Sequence, residues 1–362
     1  MKLSALVDLL EDIAPTRLAE AWDNVGLLVG DPRQTITGIM LCIDYTADVA
    51  AETKAAGCNL VIAYHPPIFQ PIKRLSPSSL IFDAISGGIA IYSPHTALDV
   101  ADGGTNDMLA DAIGMIDRGP LRPAPAKASQ YKLVVFVPET DLEKVSQALF
   151  AAGAGRIGHY SSCSFRSPGI GTFLGDATTN PTIGQPGRLE QTPEIRLETI
   201  IPITKIDPIL RALRQAHSYE EPAFDLIPLA AAPDTMGLGR LGSIAPTTRP
   251  AIFDRLRREL ELPHLLIAGP TQGLATRAAV CAGSCGDLLT DAITAKADIY
   301  LTGELRHHDA VRAAAEGLTV ICTLHSNSER AVLQRLKLRL TPTAPGLPIH
   351  LATTDRDPFS VY

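Results

Sequence analysis

His325 and Glu329 lie four positions apart, directly after the apolar run Leu318-Thr-Val-Ile-Cys-Thr-Leu324. On a helix that spacing puts an imidazole and a carboxylate on one face, and such a pair is half of a metal site. The same stretch also reads as a capping box, in which Ser326 caps a helix and Glu329 reaches back to its amide. Other donors obey the same rule of position. His65 ends the apolar run Asn59–Tyr64, and His95 with Asp99 follows Ile89–Tyr92. Glu304, His307 and His308 follow Ala297–Thr302, where only one of two adjacent histidines can face a site. A mixed histidine and carboxylate set without cysteine suits zinc, iron or manganese. Carboxylates also bridge, so one ion or two can be held.

The elements that position these residues read as an α/β pattern. Short, nearly all-apolar runs at 38–44, 59–64 and 89–92 alternate with helical segments at 46–57 and 79–86. That rhythm predicts a mainly parallel sheet with helices on its faces. Polar chemistry in such sheets collects beyond the carboxyl ends of the strands, and Asp44, His65 and the His95–Asp99 pair all fall there. Arg118–Lys127 is rich in proline and marks a boundary. Beyond it, strands at 131–137, 195–201 and 223–229 alternate with helices at 140–152 and 205–217, and a loose Gly/Ser/Thr/Pro segment spans 161–186. This predicts an inserted ferredoxin-like α+β domain. The sheet rhythm resumes with strands at 240–244, 275–281, 297–302 and 318–324 and an edge strand at 347–354. The expected layout is therefore 1–125 and 235–362 as two halves of a core, with 128–232 inserted.

Bulk properties exclude several classes. Charged residues are 20% and hydrophobic residues 46%, which argues against disorder. A net charge of −7 gives no global basic footprint for nucleic acid or an anionic membrane. No apolar run reaches the length of a membrane span, and the acid-punctuated N-terminus reads as an amphipathic helix; both point to the cytoplasm. Of the six cysteines, Cys281 and Cys285 have the wrong spacing for a zinc knuckle or redox pair. Two strings match G-x-G-x-x-G, at Gly153–Gly158 and Gly237–Gly242. Neither runs strand, glycines, helix, so neither is a dinucleotide fingerprint. Gly283-Ser-Cys-Gly286 has that order and reads either as a phosphate cradle or as a tight turn.

Five motifs in order carry a resemblance: Trp22-Asp-Asn-Val-Gly26, Tyr64-His-Pro-Pro-Ile-Phe69, His95-Thr-Ala-Leu-Asp99 with Gly103–Asp107, Thr302–Asp309, and His325-Ser-Asn-Ser-Glu-Arg330. Over nearly its whole length the chain resembles the NIF-three-like family, whose members carry the name GTP cyclohydrolase 1 type 2 homologue. The resemblance implies a two-lobed α/β core with a PII/CutA-like insert, assembled as a toroidal homohexamer. It implies two divalent metals between the lobes, held by two adjacent histidines, an aspartate and a His-x-x-x-Glu pair. Carried over, the ligands are His65, Asp99, His325 and Glu329, and Tyr64 stands where the first histidine would be. A phenol, with its pKa near 10, is a weak ligand, so one or two ions per subunit are expected. The resemblance fixes fold and site better than reaction; the site chemistry itself permits a metal-dependent hydrolase acting on a nucleotide or phosphoester-like small molecule. His95 would stabilise charge, and Glu304 or His308 would move protons. The competing expectation is a non-catalytic metal-binding or metal-delivery assembly with a ligand-sensing insert.

Overall fold

A computed structural model describes residues 1–124, 130–230 and 236–360. The chain divides into two compact units, Met1–Ala124 with Thr235–Tyr362, and Pro125–Asp234.

The first unit holds two larger sheets. One runs in the order Gly26–Val29, Ala90–Ser93, Leu60–Ala63, Ile39–Cys42, Ile349–Leu351. Its pairings are parallel except the first. The three central strands are buried at every residue, as expected of strands covered on both faces. One face takes the helices Leu3–Ile13 and His325–Thr343, through Leu3, Leu6, Leu10, Leu333, Leu336 and Leu340. The other takes the crossover helices Ala47–Ala55 and Leu80–Ser86, which parallel neighbours require. Each crossover is capped by a hydroxyl, Thr46 accepting from the Val49 amide and Ser79 from the Phe82 amide.

The second sheet runs Leu266–Ala268, Thr319–Cys322, Ile299–Thr302, Leu274–Cys281, Arg240–Thr248, Met115–Gly119. Only its two central pairings are parallel; the outer ones are antiparallel. The expectation of mainly parallel sheets therefore holds for the first sheet, and the second is mixed. The difference lies in Arg240–Thr248, longer than expected, which alternates buried and exposed residues as a half-covered antiparallel strand does.

The two sheets exchange edges. Met115–Gly119, from the first half of the chain, closes the second sheet, and Ile349–Leu351, from the second half, closes the first. A buried arginine fastens the exchange. Arg240 donates from Nε to Asp107 (2.7 Å), from one terminal nitrogen to the Gly237 and Gly239 carbonyls, and from the other to the Val100 carbonyl (3.0 Å).

The second unit is one antiparallel sheet in the order Phe224–Pro228, Gln130–Val137, Leu189–Pro202, Ser164–Leu174. Helices Leu142–Ala151 and Ile206–Ala216 bury Val145, Leu149, Ile209 and Leu213 against Leu133, Val135 and Leu197. The segment expected to be loose contains an eleven-residue strand, in register from Ser164 opposite Thr199 to Leu174 opposite Leu189. Its glycines and Pro168 hide it from propensity, yet it lies at the sheet edge, where a proline is tolerated.

Candidate metal centre

Backbone pairing places the first donor. Past Leu60–Ala63, the amides of Tyr64 and His65 donate to the Cys42 and Ile43 carbonyls. Pro66 and Pro67 then stop the strand, so His65 is held at its carboxyl end. The second and third donors sit on one helix, His325–Thr343. Leu324 precedes it in a left-handed conformation, φ 73°, a turn that starts the helix abruptly at His325.

The expected capping box is absent. Ser326 donates to the Asp357 carboxylate (2.8 Å), and no side chain caps this helix. Glu329 is turned inward instead, its side chain 3% exposed.

His65, His325 and Glu329 bring one ligand atom each within 4.8 Å of one another. His65 Nε2 lies 3.2 Å from Glu329 Oε2, and His325 Nε2 lies 3.4 Å from Glu329 Oε1. His65 Nε2 and Glu329 Oε2 are buried and, among the described residues, have no hydrogen-bond partner. Orphaned buried polar atoms are costly, and these two are satisfied either by a proton that makes them an ion pair or by a cation bound to both. Donors arranged tetrahedrally about an ion with bonds of 2.0–2.1 Å stand about 3.3 Å apart, which both separations match. The residues present fit a divalent cation.

Each histidine is oriented from behind by a carboxylate. Nδ1 of His65 meets Asp44 at 3.0 Å, and Nδ1 of His325 meets Glu304 at 3.0 Å. Nδ1 of His95 meets Asp23 at 2.8 Å. This fixes the rings and presents Nε2 forward. Burial opposes charge on His65, but the Asp44 and Glu329 carboxylates outweigh it and raise its pKa to about 10. The hydrogen bond with His65, working against burial, in turn lowers the pKa of Asp44. This corner of the protein favours positive charge, whether a proton or a metal ion supplies it.

Gly283 keeps the corner open. It has a φ of +72°, and a Cβ there would lie 2.9 Å from Glu329 Oε1 and 3.5 Å from His325 Nε2. Its amide donates to Ser328 Oγ and its carbonyl accepts from the Gly303 and Glu304 amides. Gly283–Gly286 is thus a tight turn with its first amide already spent.

The remaining expected residues lie as follows. Asp99, on the short helix His95–Val100, accepts a short hydrogen bond from the Tyr64 hydroxyl, which also contacts Thr105 Oγ1 at 3.1 Å. Burial, with the charge of Asp99 beside it, pushes the Tyr64 pKa well up, so Tyr64 is a neutral donor and not a phenolate ligand. Burial also raises the Asp99 pKa, to about 6, with Glu329 adding to the rise against the Tyr64 hydrogen bond. His95 packs edge-on to His65, Tyr64 and Trp22, with centroid distances of 5.4, 5.8 and 6.1 Å. It flanks the three-donor group without joining it. Among the described residues Glu304 meets the donor set through His325. His308 is exposed on the helix His307–Ala315 against His307, and among the described residues no polar contact links it to the donors.

Sequence reasoning missed the orienting role of Asp23 and the anchoring of the C-terminal segment. Arg330 pairs with Asp355 at 2.7 Å, and Asp355 also accepts from the Ile43 amide. The Asp355-Arg-Asp357 alternation next to proline was the available signal.

Comparison with known proteins places this geometry in context. The family model for Duf34/NIF3 (NGG1p interacting factor 3) matches residues 1–358. A Halalkalibacterium halodurans protein named GTP cyclohydrolase 1 type 2 homolog is 36% identical over 340 residues, covering 92% of this chain and 91% of its own. A Mycobacterium tuberculosis protein of the same name is 34% identical, covering 100% and 97%. Among solved structures, a Bacillus cereus protein related to NIF3 aligns with a TM-score of 0.67 at 32% identity, covering 100% of this chain and 99% of its own. The Staphylococcus aureus protein SA1388 aligns at 0.77 with 26% identity and the same coverage.

Proposed function

The chain belongs to the Duf34/NIF3 family, and from that premise we propose that it is a divalent-metal-dependent hydrolase of a nucleotide or phosphoester-like small molecule. One observation carries the reading: the buried, unpartnered His65 Nε2 and Glu329 Oε2 converge with His325 at metal-ligand spacing. His65, His325 and Glu329 would hold the ion. A divalent ion there would supply Lewis-acid polarisation and water activation. Asp44 and Glu304 hold the two ligating rings. Glu304, exposed beside His325, is also placed to exchange protons with solvent. His95, oriented by Asp23 at the rim, offers its Nε2 side to charge developing on a substrate. Asp99 accepts from Tyr64 through Oδ1 and would join the ligand set through its remaining lone pairs, so one ion or two per subunit is the count proposed.

The proposal extends to the rest of the molecule. The second unit is read as a ferredoxin-like, PII/CutA-like insert, supported by its sheet order of fourth, first, third, second strand with both helices on one face. A toroidal homohexamer in the cytoplasm is the assembly proposed. Among the described residues no helix is long and apolar enough to cross a membrane.

The test is to assay metal-replete protein against GTP, other nucleotides and simple phosphoesters, beside Glu329→Gln. Turnover that disappears in the variant together with bound metal supports the proposal. If nothing turns over while metal passes to an acceptor protein, the molecule is a metal-delivery assembly.

A further inference from the structure

A cavity of about 650 Å³ adjoins the donor set at His65 and is lined also by Asp44, which orients that ring. The rest of its lining is mostly apolar, with Tyr45, Pro66 and Leu80 among others, and includes Thr46 and Arg356. The charged groups in its lining are Asp44, His65 and Arg356. Asp44 is occupied by His65. Arg356 is exposed, and among the described residues it has no ion pair or hydrogen bond.

The chain holds Arg356 there deliberately. Asp355 is tied to Arg330 and the Ile43 amide, and Asp357 to Ser326 Oγ and the Phe359 amide. Ser326 and Arg330 each follow a proposed metal ligand, His325 and Glu329, on the same helix. The two aspartates therefore clamp the C-terminal segment to the ligand helix. Arg356, between these two anchored aspartates, lines the cavity. A guanidinium left without a carboxylate, over an apolar cavity that ends at a metal ligand, matches a planar fork of donors for an oxyanion.

We infer that Arg356 is the anion anchor of a substrate pocket, and that the substrate is a phosphomonoester whose organic part is apolar or aromatic and rests on the Tyr45 and proline wall. The inference deepens the hydrolase reading and rests on it for the reaction, but not for binding.

Binding of inorganic phosphate, phenyl phosphate and benzoate is measured by calorimetry on the full chain as wild type, Arg356→Ala and Arg356→Lys. Each protein is taken with metal and after chelation, and metal content is assayed in parallel. Loss of one charge-assisted anchor should weaken both phosphates about tenfold to a hundredfold in Arg356→Ala. Arg356→Lys should lose less, because charge remains and the fork does not. Metal content should stay at the wild-type level in both. Wild-type affinity in Arg356→Ala, or no phosphate binding by the wild type, overturns the inference. Benzoate binding as tightly as phenyl phosphate overturns the phosphate assignment. If the wild type takes up no metal, the hydrolase reading falls, and the chelated arm still decides the role of Arg356.

Discussion

Replacing Gly283 with alanine tests whether the space between Glu329 and His325 is a metal site. Two costs arise. The left-handed backbone at φ +72° penalises any Cβ by roughly 1–2 kcal/mol. The new methyl would also stand 2.9 Å from Glu329 Oε1, where ordinary contact begins at 3.4 Å. The carboxylate must retreat by about half an ångström, whereas metal–ligand distances tolerate only about 0.2 Å. Gly317 separates the costs, since its φ is +75° and a Cβ there meets nothing within 4 Å. Gly317→Ala should lower thermal stability and leave metal affinity unchanged. Gly283→Ala should be at least as destabilised and bind zinc about tenfold or more weakly, ~1.4 kcal/mol, in competition with a chromophoric chelator. Equal zinc affinity in the two variants would refute the reasoning, because the gap would then be a property of the turn and not of a metal site.

Asp44→Asn should weaken metal binding about 10–100-fold while leaving His65 in place; unchanged affinity by the same chelator competition would show that the His65 ring needs no support. Arg240→Ala removes a buried cation that faces Asp107 and the Gly237, Gly239 and Val100 carbonyls. It should cost about 3–5 kcal/mol in denaturant unfolding, and a loss below about 1 kcal/mol would dismiss the fastening role. Tyr64→Phe strips the half-buried Asp99 of a donor and should cost about 1 kcal/mol. A melting temperature equal to wild type would show that the contact is dispensable.

The sequence was most informative where local spacing and position coincide. His325 and Glu329 are four apart and share a helix face, and His65 is fixed by the strand before it and the prolines after it. These follow from short-range rules. The carboxylates behind the rings do not, because Asp23, Asp44 and Glu304 meet their histidines across 72, 21 and 21 positions. Ser326 shows the converse failure. Its local pattern fits a cap, but a partner 31 residues away, Asp357, takes the hydroxyl. Tyr64 was read as a weak ligand, and its burial with Asp99 explains why it acts as a donor. The strand Ser164–Leu174 was illegible because edge pairing overrides the low propensity of its glycines and proline.

The exchanged edge strands also set a timetable for folding. Ile39 pairs with Ile349, so a strand made early in synthesis waits for a neighbour made near its close. Such distant pairing gives high contact order and slow folding. Until then the apolar edge of Ile39–Cys42 is exposed to other nascent chains, which makes the interval the protein's period of greatest aggregation risk. His65 and the pair His325 and Glu329 are synthesised on either side of the same wait. A cation site built from both is complete only after both are made, so an ion held there would be captured late in folding and would not nucleate the core.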